Sequence, residues 1–121
     1  VDAGGDGKQL ALFYARSSNA TTARAPTFTP RRKLPTTGQA SHPSVVMSVG
    51  DRPLVVWDEV VEGQRRLAAA RVDGERFTPV TIPGSGARFY PAVAAVPGGA
   101  VVAWVQQGER GSSISAVRLA P

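Results

Sequence analysis

Apolar and polar residues alternate in short bursts along this chain, and the bursts are separated by Gly, Pro and Asp. "PSVVMSV" at 43 to 49 is followed by the turn "GDRP", then "LVVWDE" at 54 to 59 and a hairpin region "VEGQ". "RRLAAARV" at 65 to 72, the turn "DGE" at 73 to 75 and "RFTPVTI" at 76 to 82 complete the series. Runs of this length bounded by turn residues predict strands, and Asp-Gly between two of them is a strong hairpin signal. The Pro inside the last run places it at a sheet edge. Alanine-rich "RRLAAAR" has helix formers, but it covers barely two helical turns and its counterpart "SSISAVR" reads as strand, so both are assigned to strands. The unit is a four-stranded antiparallel meander.

The unit recurs. "PLVVWDEVVEGQRRLAAAR" at 53 to 71 is echoed by "AVVAWVQQGERGSSISAVR" at 100 to 118, with Trp57 and Trp104 47 residues apart and Arg71 and Arg118 at the same spacing. "HPSVV" at 42 to 46 matches "YPAVA" at 90 to 94, offset by 48, and "FTP" at 28 to 30 returns at 77 to 79, offset by 49. A four-stranded unit repeating every 40 to 50 residues or so is the signature of a β-propeller blade. The expected fold is therefore all-β, with a partial blade at 8 to 34, a full blade at 43 to 82 and a partial blade at 90 to 119, about two and a quarter blades. The recurring aromatics Trp57, Trp104, Phe28 and Phe77 are assigned to packing between blades. A ring needs at least about four blades, roughly 190 residues, so 121 residues do not close one alone. Completion would come from further blades of the same polypeptide or from self-association, and the half-blade at the N-terminus fits the first better.

Composition narrows the chemistry. The chain has no Cys and one His, which excludes disulfides and thiolate metal sites and argues against a zinc centre. No metal or cofactor is expected. No apolar run reaches the roughly 18 residues of a membrane helix, and "VDAGGDGKQL" lacks the features of a secretory signal. Fourteen basic residues against nine acidic ones give a net charge of +5. The densest basic run, Arg31, Arg32 and Lys33, lies on a predicted strand, where successive side chains point to opposite faces and cannot form one comb for phosphates. Charge there protects an edge strand. With no interleaved aromatics or recognition motif, nucleic acid and membrane partners are not expected. Asn19-Ala20-Thr21 matches a glycosylation sequon, read as a chance occurrence.

"RVDGERF" at 71 to 77 resembles the Asp box of the sialidase-like propellers, Ser-x-Asp-x-Gly-x-Thr-Trp/Phe. Asp73, Gly74 and Phe77 keep the Asp, a Gly and the closing aromatic, while Arg76 stands where the family has Thr. An earlier copy, "YARSSNATTARAPTF", carries six extra residues between its Arg and its Phe. The resemblance implies a structural role for Asp73, Gly74 and Phe77 and an extracellular or periplasmic setting. It also implies a ligand face built by the loops entering the inner strands and by the hairpins at 58 to 64 and 105 to 112. His42, Tyr90, Arg88, Asp58 and Glu59 are the ligand-binding candidates there, with Glu62, Gln106, Gln107 and Glu109 nearby. Tyr90 is a weak candidate for the family's Tyr nucleophile, because Pro91 follows it and no Arg triad can be assigned. Asp58 and Glu59 are neighbours on a strand and point apart, so they are not a facing carboxylate pair. The function implied is carbohydrate recognition without catalysis in this chain. A glycoside hydrolase of the sialidase type completed by further blades, and a protein-binding scaffold, remain the alternatives.

Overall fold

The computed structural model describes residues 10–17, 22, 24–47 and 52–121, and these contain nine strands and no helix. A two-stranded sheet pairs β1 (Phe13–Tyr14) with β2 (Arg32–Lys33). The central sheet runs in chain order through β3 (Gln39–Met47), β4 (Pro53–Val61), β5 (Gln64–Asp73) and β6 (Arg76–Val80). A three-stranded sheet follows, β7 (Arg88–Val96), β8 (Gly99–Gly108) and β9 (Gly111–Leu119). All pairings are antiparallel. The predicted meander is present, and "RRLAAAR" lies in strand β5.

Alternation along β4 explains how the sheets stack. Pro53 to Glu59 are all buried, because both faces of this strand are covered. Val55 and Trp57 pack on one side with Leu34, Ala40, Ala70 and Val72, toward the two-stranded sheet. Leu54 and Val56 pack on the other with Leu67, Ala69, Val102 and Trp104, toward the three-stranded sheet. Burying side chains of this size stabilises by about 1.5–3 kcal/mol each. The 47-residue echo acquires a physical meaning here. Val55 and Trp57 face the sheet before them, and their counterparts Val102 and Trp104 face the central sheet in the same way.

The turn after β5 fastens the two-stranded sheet. Gly74 adopts φ +61°, a conformation that favours glycine, and Phe77 meets the Tyr14 ring edge-on at 6.1 Å. Arg32 lies over the Phe77 ring at 4.7 Å and donates to the carbonyl oxygens of Gly74 and Glu75. Arg31 instead covers the Phe13 ring at 4.6 Å, so the basic run does divide between two faces. Phe28 departs from its expected packing role: it is exposed. The sequon at Asn19 to Thr21 lies outside the described residues.

Strand boundaries also differ from the sequence reading: β4 extends to Val61 rather than 59, and β6 ends at Val80 rather than 82. β3 and β7 start at Gln39 and Arg88, upstream of Pro43 and Pro91, which were expected to open those strands. A Pro inside a strand removes a ladder donor, which is tolerated at a bulge, and the ladder is interrupted at both prolines.

Gly38, which leads into β3, lies so close to β4 that a Cβ there would fall 2.0 Å from the Val60 carbonyl oxygen. Gly38→Ala is expected to cost about 1–3 kcal/mol through this overlap with backbone. The check is the denaturant midpoint, which should fall at unchanged slope.

Candidate functional site: two bulges on one carboxylate

The central and three-stranded sheets carry the same irregularity at the same place. In β3, Ser41 pairs with Asp58 and Ser44 with Val56, so His42 and Pro43 together oppose Trp57. In β7, Phe89 pairs with Val105 and Ala92 with Ala103, so Tyr90 and Pro91 together oppose Trp104. Each is a β-bulge, a device that re-aims a side chain. Its first residue is left-handed in both copies, with φ 55° at His42 and 53° at Tyr90. A non-glycine residue in that region costs roughly 1–2 kcal/mol, so the surrounding contacts must hold both residues there.

Asp58 does so. It is fully buried, directed to the face of β4 that meets β7, and its Oδ2 accepts from the Tyr90 backbone N–H at 2.7 Å. The same oxygen lies 2.8 Å from His42 Nδ1, and Arg65 donates to Oδ1 at 2.5 Å. Because Arg65 and the Tyr90 amide are both donors, the carboxylate is the acceptor and His42 Nδ1 carries the proton toward it. The Nε2 atom of neutral His42 is then an acceptor. The His42 and Tyr90 rings pack at a centroid distance of 4.2 Å with their planes inclined by 55°. The His42 side chain is 40% exposed and Tyr90 57% exposed, so a buried anion supports a pair of polar rings at the surface.

The other candidates are placed differently. Glu59 points to the opposite face of β4, where it accepts from the Thr37 and Gly38 amides at 2.9 and 3.2 Å and from Thr37 Oγ1 at 3.1 Å. Arg66 lies 3.8 Å away. Glu59 therefore fastens the segment leading into β3 and is not part of the ring pair. Arg88 is buried and donates to the carbonyl oxygens of Pro83 and Ile82, at 3.0 and 3.4 Å, with its guanidinium 5.7 Å above the Trp104 ring. Desolvation by burial lowers its pKa from the usual guanidinium value. Gln106 accepts from Trp104 Nε1 and donates to the Ser85 carbonyl, and Gln107 bonds to Ser112 and the Gly108 carbonyl. Glu62 and Glu109 are exposed in hairpin turns.

Arg65 belongs to the site and was missed. The signal was available: Val61 pairs with Gln64 across a two-residue turn, which puts Asp58 opposite Leu67 and Arg65 diagonal to Asp58 on one face. Among the described residues no group of three or more His, Cys, Asp and Glu is placed to hold a metal ion. No carboxylate among the described residues is hydrogen-bonded to the Tyr90 hydroxyl.

Asp58→Ala should lower stability by about 2–4 kcal/mol, since it leaves the Tyr90 amide and His42 Nδ1 without their acceptor, a loss that relief of the left-handed strain at these two residues offsets only in part. In hydrogen exchange, the Tyr90 amide should lose protection while the β8–β9 ladder keeps it. No family model, no curated protein and no solved structure matches the chain.

Proposed function

We propose that the chain forms blades of a sialidase-like β-propeller that recognises carbohydrate through His42 and Tyr90, without carrying out catalysis itself. The observation that carries this reading is the ring pair. Two polar rings are held in left-handed backbone at equivalent positions, in contact with each other, on a buried carboxylate, and both reach solvent. Non-glycine strain of this kind concentrates at binding and catalytic sites.

A sugar offers apolar C–H faces bordered by hydroxyl groups. Aromatic rings meet the former, while the His42 Nε2 acceptor and the Tyr90 hydroxyl, donor or acceptor, meet the latter. Because Asp58 fixes one ring and the backbone of the other before any ligand arrives, little conformational freedom is lost on binding. A hydrolase of the sialidase type would need an acidic partner at the Tyr90 hydroxyl, and Asp58 engages the Tyr90 amide instead.

The propeller part of the proposal rests on the stacking. Val101, Ala103, Val105, Ile114 and Ala116 share the outer face of the three-stranded sheet, and Ile114 is 73% exposed. Their counterparts 47 residues earlier are Leu54, Val56, Asp58, Leu67 and Ala69, and these are buried beneath the following sheet. A further sheet with the same Val-x-Trp pattern would cover the outer face in the same way.

The test is titration of the glycan that scores on an array. Tyr90→Phe should weaken binding by about 0.5–1.5 kcal/mol, the worth of one hydrogen bond, with no change in fold. His42→Ala should weaken it further, and Arg31→Ser combined with Lys33→Ser should leave it unchanged. Arg32 is kept, because it holds the β5–β6 turn. Normal binding by both ring variants, with loss in the basic double variant, would replace the ring site by an electrostatic one. Cleavage of a fluorogenic sialoside would favour the hydrolase.

A further inference from the structure

The face of the central sheet turned toward β1 and β2 is only partly covered. Val45 and Met47 of β3 lie opposite Val55 and Pro53 of β4, so they share the face on which Val55 and Trp57 pack toward the two-stranded sheet. Val55 and Trp57 are buried there, but Val45 is 60% exposed and Met47 49% exposed. Between Val45 and β1 runs a groove of about 300 Å³, lined by Phe13, Ala15, Pro43 and Ser44 among others. One wall is the edge of β1. The Leu34 amide donates to the Leu12 carbonyl oxygen at 2.9 Å, so by antiparallel alternation Phe13 directs its backbone N–H and C=O away from β2, toward the groove. Among the described residues no strand pairs with that edge.

The repeat identifies what would cover this surface. Val93 follows Val45 by 48 residues, as Pro91 follows Pro43, and it packs against the cluster that holds Leu54 and Val56 of β4. Its amide also donates to Ser44 Oγ at 3.2 Å. Val45 presents the same kind of surface one unit earlier. In the central sheet β5 has β6 on one side and β4, antiparallel to it, on the other. In the two-stranded sheet β1 has β2 where β5 has β6, and its other side is the groove. The position beside β1 therefore corresponds to that of β4. Residues 1 to 9, polar and Gly-rich, carry no alternating apolar pattern of the β4 kind.

We infer that the groove between β1 and β3 docks an extended strand of another polypeptide segment, antiparallel to β1, which bonds to its free edge and lays a Leu-x-Val pair over Val45 and its neighbours. Main-chain bonds to an open edge supply the attachment in such an addition, and an apolar floor selects the alternate side chains. The edge of β1 is formed by Phe13 and Tyr14, with none of the Lys or Pro residues that guard an edge against a further strand. The groove lies at the opposite end of the stack from the outer face of the three-stranded sheet. Strand docking here does not depend on carbohydrate recognition by His42 and Tyr90.

The probe is an end-blocked peptide with the sequence of residues 52 to 63, "RPLVVWDEVVEG", the chain's own strand of this kind. Titrated into the full isotope-labelled chain, it should give saturable shifts of the Phe13 amide and of the Val45 and Met47 methyl groups, and it should slow exchange of the Phe13 amide. A peptide carrying Leu54→Ser and Val56→Ser should bind at least about tenfold more weakly, because its aliphatic contacts with the floor are lost. One carrying Val55→Ser, on the opposite face of the strand, should bind within about twofold of the parent. All three peptides have the same charge, so the contrast reports on the face presented. In the chain, Val45→Lys changes a solvent-exposed position and should weaken the parent peptide at least about tenfold. Absence of saturable shifts, equal binding of the two substituted peptides, undiminished binding by Val45→Lys, or shifts confined to β9 would each overturn the assignment. Association of the peptide-free chain that Val45→Lys abolishes would also overturn it and make a second copy the occupant.

Discussion

One carboxylate with no access to water governs the junction between the central and three-stranded sheets. Asp58 cannot be ionised and buried without donors, since desolvating a lone carboxylate costs several kcal/mol. Its donors come from three strands: His42 on β3, Arg65 on β5 and the Tyr90 amide on β7. The interaction therefore fixes how two sheets meet as well as where two side chains point. Hydrophobic contact between Leu54, Val56, Val102 and Trp104 supplies the larger share of the stabilisation but has little directionality. The carboxylate supplies the direction.

Comparison of the copies shows why the site is confined to this junction. Both repeats keep the bulge, its left-handed residue and the Pro that follows it. The residue 47 positions after Asp58 is Val105, which has no acceptor for a neighbouring amide. The bulge is thus part of the repeated architecture, while the buried anion is particular to one copy. A feature that departs from its own repeat is more informative about function than one that obeys it, because packing alone would not require it.

The architecture was legible because alternation and turn residues act locally. The meander, the strand character of the Ala-rich β5, the division of Arg31 and Arg32 between faces and the opposite directions of Asp58 and Glu59 all follow from a side-chain period of two. Pro43 and Pro91 misled the strand boundaries for a physical reason. A Pro ordinarily ends or begins a strand, and only a bulge, which depends on the opposing strand, excuses it from donating. Burial was legible at Trp57 and Trp104 but not at Phe28, which is exposed. The pairing of His42 with Tyr90 could be anticipated from their equivalence in the repeat. The roles of Glu59 and Arg88 could not, because each is spent on backbone groups of segments whose path is set by tertiary packing.

The central claim is that Asp58 accepts from the imidazole and so sets the ring that faces solvent. Since the chain contains a single His, a long-range ¹H–¹⁵N correlation spectrum of the neutral imidazole reports on His42 alone. The account predicts the tautomer with the proton on Nδ1 and a bare Nε2, with the Nδ1 proton slow to exchange. A spectrum dominated by the tautomer protonated on Nε2 would contradict it, because Nδ1 would then have no proton to donate to Asp58.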